Sequence, residues 1–293
     1  MGDMRNNSVF LKMTFEFLDM PNEMRQGDKG ISCFSQPFAG DFEIEFRDVS
    51  FRYPESEVYA LRHVSMKFWA GERMAIVGMN GSGKTTFIKL LCRLYDPTEG
   101  QILLNGVDIR QYNYESYMAL FSVVFQDFKL LSFSLGQNVA AASHYDEKKV
   151  RDRLVKVDLG DRLEKLPNGL DTCLGKEFDE EGVLLSGGEA QKTAIARALY
   201  YDAPLVVLDE PTAALDPVTE MENYKKMDEI AENKSVIYIS HRLSACCFCD
   251  EIAVFHKGEL IQKGSHDALL ADAEGKYSEL WHTQAQAQYY VES

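Results

Sequence analysis

The chain has 293 residues and a formal net charge of -15, with 45% hydrophobic and 26% charged residues. These proportions exclude a disordered chain, and the acidic balance argues against nucleic acid as a partner. No apolar run reaches the roughly 18–20 residues that a membrane-spanning helix needs; Val9 to Met20 is broken by Lys12, Glu16 and Asp19.

Residues 1–40 differ from the rest. Val9, Phe10, Leu11, Phe15, Phe17 and Leu18 predict a short amphipathic helix, and Pro21 to Gly40 reads as a linker. The body of the chain is 41–290. Phe42, Ile44 and Phe46 alternate with Glu43, Glu45 and Arg47, the period of a half-buried strand, and Val64 to Phe68 alternates similarly. Arg73 to Gly78 reads as a buried parallel strand ending in glycine. Lys84 to Tyr95 predicts a helix with Phe87, Leu90, Leu91 and Leu94 on one side. Gln101 to Leu104 then forms a strand closed by an Asn105-Gly106 turn.

Residues 110–180 read mainly as helices: Tyr114 to Phe121, Ser134 to Ala142 and Glu147 to Val157. A helix from Gly188 to Tyr200 leads into a strand, Pro204 to Asp209. A helix from Val218 to Glu232 leads into another, Ser235 to Ser240. This alternation predicts an α/β fold: a mostly parallel sheet with flanking helices, an antiparallel β subdomain near the N-terminus and a helical subdomain at about 115–190. Six cysteines are scattered, and with no signal peptide ahead of them they read as reduced thiols. Cys246-Cys247-Phe248-Cys249 lacks a second ligand pair at zinc-site spacing, so a buried helix is the better reading there.

Gly78-Met79-Asn80-Gly81-Ser82-Gly83-Lys84-Thr85 matches G-x-x-x-x-G-K-[ST] and sits between a predicted strand and a predicted helix. Glycines let backbone N–H groups approach phosphate oxygens, and the helix N-terminus adds positive charge. Lys84 can reach the outer phosphates, and the Thr85 hydroxyl can ligate Mg²⁺. With Thr86 these residues form the candidate phosphate cradle; a bland glycine turn would need neither the lysine nor the strand-to-helix setting. The run Leu205 to Leu208 carries Asp209 and Glu210 to a strand end. Asp209 is the candidate metal carboxylate and Glu210 the candidate general base for an attacking water.

Leu185-Ser186-Gly187-Gly188-Glu189-Ala190-Gln191 lies between these motifs and resembles the signature of the ABC (ATP-binding cassette) ATPases. The resemblance covers about 41–290. It implies that Ser186, Gly187 and Gly188 bind the ATP held by a second chain, so that two ATPase domains pair head to tail around ATP and Mg²⁺. It further implies that Tyr53 stacks on adenine, that Gln126 touches Mg²⁺ beside a transmembrane partner, and that Asp216 lies in a loop crossing the dimer interface. His241 would contact the γ-phosphate.

Leu166 to Thr172 and Gly264-Ser265-His266 are similar to the exporter branch, and Phe15 to Pro21 resembles the join to an exporter's last membrane helix. The implied function is ATP hydrolysis driving export, at the cytoplasmic face of a membrane. Importer ATPases are the nearest rival. Members acting on DNA are disfavoured because no heptad run lies between Lys84 and Ser186, and a non-enzymatic module because Lys84, Asp209, Glu210 and His241 are all present. The acidic stretch Lys176 to Glu181 departs from the usual exporter loop.

Overall fold

The structure, a computed structural model, describes residues 42–177, 179–210, 234–241, 243–292, the short piece 27–31 and scattered positions between 12 and 24. Asp216 and the expected helix from Val218 to Glu232 lie outside the described residues. Where described, positions 12–18 are helical, and Lys12 pairs with Glu16 at 3.6 Å.

Four strands form an antiparallel sheet: β1 (Glu43–Arg52), β2 (Tyr59–Trp69), β4 (Glu99–Leu104) and β5 (Val107–Asp108), in the order β2-β1-β4-β5. Alternation in β1 buries Ile44 and Phe46, and Phe46 stacks on Phe87 with ring centroids 4.4 Å apart. The Asn105-Gly106 turn takes φ of 51° and 75°, the left-handed pair that a two-residue hairpin of this twist requires.

The second sheet has six strands in the order β10-β9-β3-β8-β7-β6. β3 (Arg73–Val77), β6 (Phe121–Val124), β7 (Leu205–Asp209), β8 (Ser235–Ser240) and β9 (Glu251–His256) run parallel, and β10 (Glu259–Gly264) closes the edge antiparallel. The inner strands are apolar runs because both of their faces are covered. Ala75, Val77, Val206, Leu208, Val236 and Tyr238 face one core cluster, built with the helical subdomain and the C-terminal elements. Met74, Ile76, Leu205, Val207, Ile237 and Ile239 face the other, shared with the antiparallel sheet and α1 (Lys84–Leu91).

After α2 (Tyr114–Met118) and β6 the helical subdomain comprises α3 (Leu135–Ala140), α4 (Glu147–Lys156), α5 (Gly160–Glu164) and α6 (Gly187–Tyr200). The chain ends in α7 (His266–Ala271) and α8 (Lys276–Glu292). Among the described residues no helix is long and apolar enough to cross a membrane.

Several elements differ from the sequence expectation. The helix expected to Phe121 stops at Met118, and Phe121 opens β6, which pairs with β7 from Leu205 to Leu208. α1 ends at Leu91 rather than Tyr95: Arg93 turns left-handed (φ 50°) and is fully buried, held by Asp96 at 3.1 Å, while Leu94 is exposed. The cysteine cluster is not in an α-helix: Cys246 ends a 3-10 helix, Leu243–Cys246, and Cys247-Phe248 form the turn after it; Cys246 and Cys249 are buried and Cys247 is exposed. Within the region read as linker, the Lys29 backbone N–H donates to the Gln111 carbonyl at 3.1 Å and its carbonyl accepts from the Asn113 N–H at 2.8 Å, which bridges this piece to the segment just ahead of α2.

Candidate active site

Strand register sets the site. Val77 pairs with Ser240, Ile239 with Asp209 and Leu208 with Val124. Just beyond those strand ends come Gly78, His241, Glu210 and Gln126, all at the carboxyl edge of the parallel sheet. Ligands of open α/β sheets bind at that edge.

The loop from β3 to α1 is fitted to glycine. Gly83 caps α1 at φ 105°, and a Cβ there would stand 2.6 Å from Leu61 Cδ2. At Gly78 a Cβ would stand 2.3 Å from the Phe255 carbonyl oxygen. The first N–H groups of α1 have no intrahelical acceptor. Lys84 is buried; its ammonium donates to the carbonyls of Gly78 at 2.8 Å and Met79 at 3.1 Å. Burial lowers its pKa, and the nearby Glu210 and Asp209 carboxylates oppose that shift. Ser82 Oγ is buried and has no hydrogen-bond partner among the described residues, a donor left over for a ligand oxygen.

Asp209 is only 4% exposed at the end of β7. Burial, then the charge of Glu210, pushes its carboxyl up to about 6, against the pull of Lys84. Glu210 is held at φ 48° by its N–H bond to the Ile239 carbonyl at 3.0 Å. A non-glycine residue in that region carries strain that tends to collect at functional sites. Its carboxylate meets the His241 imidazole. Among the described residues no group of three or more His, Cys, Asp or Glu is placed to hold a metal by itself. The oxygen donors Thr85, Asp209 and Gln126 suit a hard cation that keeps water and phosphate in its shell.

A cleft of about 780 Å³ runs along this edge, lined by Tyr53, Asn80 to Thr86, Gln126 and Glu210. Tyr53 stands edge-on to Phe51 and Tyr95, at 5.0 and 5.4 Å between centroids. Its hydroxyl lies 3.1 Å from Thr86 Oγ1, and Lys89 Nζ sits 5.5 Å from its ring. The cleft is also lined by Ser56, Val58, Tyr59, Ala60 and Arg62, and by Lys257 and Gly258, none of which carries a motif in the sequence. Lys257-Gly258 makes the β9–β10 turn at φ 50° and 85°, and Gly258 accepts from Arg62 N–H at 2.8 Å and donates to Ser82 at 3.0 Å. The Lys-Gly turn was a legible hairpin signal; the approach of β2 to it has no local one.

Ser186, Gly187 and Gly188 line no part of this cleft and are exposed at the N-terminus of α6. Ser186 and Glu189 form a capping box: Glu189 N–H donates to Ser186 Oγ at 3.3 Å, and the Glu189 carboxylate accepts the Ser186 N–H at 2.8 Å and its hydroxyl at 2.9 Å. Arg162 pairs with the same carboxylate at 2.8 Å. The hydrogen bond from the Ser186 N–H leads the causes that hold Glu189 below the usual carboxylate range.

A family model described as ABC transporter matches residues 61–213. The subtilin transport ATP-binding protein SpaT of Bacillus subtilis is 39% identical over 268 residues, covering 90% of this chain and 43% of that protein. The ATP-dependent lipid A-core flippase of Escherichia coli (strain K12) is 38% identical over 268 residues, covering 91% of this chain and 44% of the flippase. A bacterial Atm1-family ABC exporter solved with ATP bound superposes with a TM-score of 0.80 at 33% identity, over 96% of this chain and 48% of that one. The chain thus spans less than half the length of the relatives it matches.

Proposed function

The chain belongs to the ABC transporter family, as an ATP-binding P-loop domain, and from that premise we propose that it is the hydrolytic motor of an exporter. The observation that carries this is the meeting of Lys84, Asp209, Glu210 and His241 at one sheet edge while Ser186 stands exposed on a separate helix. A cradle and a signature that do not share a cleft within one chain fit a site completed by a second chain.

In this reading Tyr53 stacks on adenine, and Gly78 to Thr86 wrap the phosphates. Lys84 neutralises charge on the β- and γ-phosphoryl oxygens. Asp209, Thr85 and Gln126 hold Mg²⁺, which supplies further charge neutralisation to the phosphates. Glu210 accepts a proton from the attacking water. His241 bonds the γ-phosphate and orients the Glu210 carboxylate. Ser186 with the N–H groups of Gly187 and Gly188 caps the γ-phosphate of the partner's ATP, and Asp216 belongs to the interface between the two.

The membrane half is a transmembrane domain, in the same polypeptide or a partner chain, and the ATPase domain sits at its cytoplasmic face. Export rather than import is favoured because the relatives include a lipid A-core flippase and an Atm1-family ABC exporter. Phosphate release from Mg-ATP, measured against chain concentration, tests the core of this proposal. A rate per chain that rises with concentration is expected. No release at any concentration would sink the hydrolytic role, and a rate independent of concentration would sink the two-chain site.

A further inference from the structure

The loop that leaves β8 with His241 is gripped from a distant part of the chain. Gln284, on α8, uses both ends of its side-chain amide: Nε2 donates to the His241 carbonyl, and Oε1 accepts the Leu243 N–H at 2.9 Å. One orientation of the amide satisfies both groups, because one is an acceptor and the other a donor. A carboxylate could serve only the second, and an apolar side chain neither.

The grip is mounted on an anchored element. Tyr277, the second residue of α8, is fully buried; its N–H donates to Gln262 Oε1 at 2.9 Å and its hydroxyl lies 2.8 Å from His266 Nδ1. Leu280 and Trp281 pack against the core that also backs β8. Leu243 itself is buried. By contrast the His241 side chain is 43% exposed, with its Nδ1 against the Glu210 carboxylate.

We propose that Gln284 is a positioning residue for ATP hydrolysis, clamping the His241 loop so that the imidazole stands against Glu210 and the reacting phosphate. The C-terminal helix thereby contributes to the rate without touching nucleotide. This role rests on the contact of His241 with the γ-phosphate proposed above. It does not involve the cradle, so nucleotide affinity and turnover separate.

The test is a double-mutant cycle on the whole chain, reading kcat, KM and the ATP Kd. Gln284→Met keeps the length of the side chain and loses both hydrogen bonds. It is expected to lower kcat about tenfold, the scale of a misplaced catalytic group, with ATP Kd unchanged within about twofold. In a His241→Ala background the same change should cost less than about twofold, because its effect passes through His241. Gln284→Glu, a polar isostere that keeps the bond from the Leu243 N–H and loses the one to the His241 carbonyl, repeats the measurement should Gln284→Met melt below assay temperature, and a drop in kcat is again expected. Wild-type kcat in both Gln284 variants, or an undiminished tenfold drop in the His241→Ala background, overturns the clamp alone. If His241→Ala turns over as fast as wild type, the role of His241 falls and the clamp falls with it.

Discussion

The His241 imidazole Nδ1 lies 3.1 Å from Glu210 Oε1. The two residues come from adjacent parallel strands, each just past the last paired position, and Glu210 takes a left-handed backbone to reach the contact. The proposed base is thus oriented by a neighbour whose own loop is held from α8.

Glu210→Gln keeps the size of the side chain and its ability to hydrogen-bond His241, but removes the base. Turnover should fall by about 10²–10⁴-fold, the usual worth of general-base catalysis, with ATP still bound. With Mg-ATP at high protein concentration the variant should elute as a dimer in size-exclusion chromatography, and with ADP as a monomer. Wild-type turnover would mean that the water is polarised elsewhere.

Tyr53→Ala should weaken ATP binding by about 1–3 kcal/mol, taking base–aromatic stacking as the guide. Tyr53→Phe keeps the ring and loses only the contact with Thr86 Oγ1, so it should cost about 1 kcal/mol or less. Titration of both variants separates the two contributions. Equal losses would place the effect in the hydroxyl.

Asp209 titrates at about 6 in the folded chain against an ordinary 3.8. A carboxyl raised on folding contributes stability that is fully present below the lower value and is lost as pH rises through the upper one. At neutral pH the buried charge therefore costs stability. Asp209→Asn should be more stable than wild type at about pH 7.5 by roughly 1–2 kcal/mol, and the gap should close toward about pH 4. The same variant should need more Mg²⁺ for hydrolysis. Nucleotide-free melts across pH and a Mg²⁺ titration of activity read the two halves. A variant less stable than wild type at neutral pH would contradict the first.

Ser186→Arg removes both an α6 cap and the proposed contact to a partner's ATP. The lost cap should cost about 1 kcal/mol. Glu189→Ala dismantles the same capping box while leaving the Ser186 hydroxyl. Only Ser186→Arg should abolish the ATP-dependent dimer of Glu210→Gln, and monomer ATP binding should survive in both. Loss of monomer binding in Ser186→Arg would mean that the signature acts within its own chain.

Much of the candidate site was legible in the sequence because the proposed nucleotide cradle is local. Gly78 to Thr86 is one strand-loop-helix, and Asp209-Glu210 simply ends an apolar run. β6 was missed because Phe121 to Val124 is too short and too apolar to show a period, and its strand character comes from pairing with Leu205 to Leu208. The early end of α1 was missed because Arg93 is drawn inward by Asp96, a contact that outweighs the helical spacing of Leu94. The lining by Arg62 and Lys257 depends on β2 and the β9–β10 turn, distant in sequence, converging beside Ser82. The position of Gln284 against the His241 loop is likewise a tertiary contact without a motif.

The pairing of Val77 with Ser240 and of Ile239 with Asp209 also fixes where the chain tolerates a change of length. Side chains alternate between two covered faces, so one residue inserted within β7 or β8 would exchange the two core clusters along that strand and carry its terminal carboxylate or imidazole off the edge. One residue added in the exposed Asn105-Gly106 hairpin would leave all of these distances intact. The parallel sheet thus works as a measuring rule, with the proposed catalytic groups placed by counting along strands rather than by the shape of the loops between them.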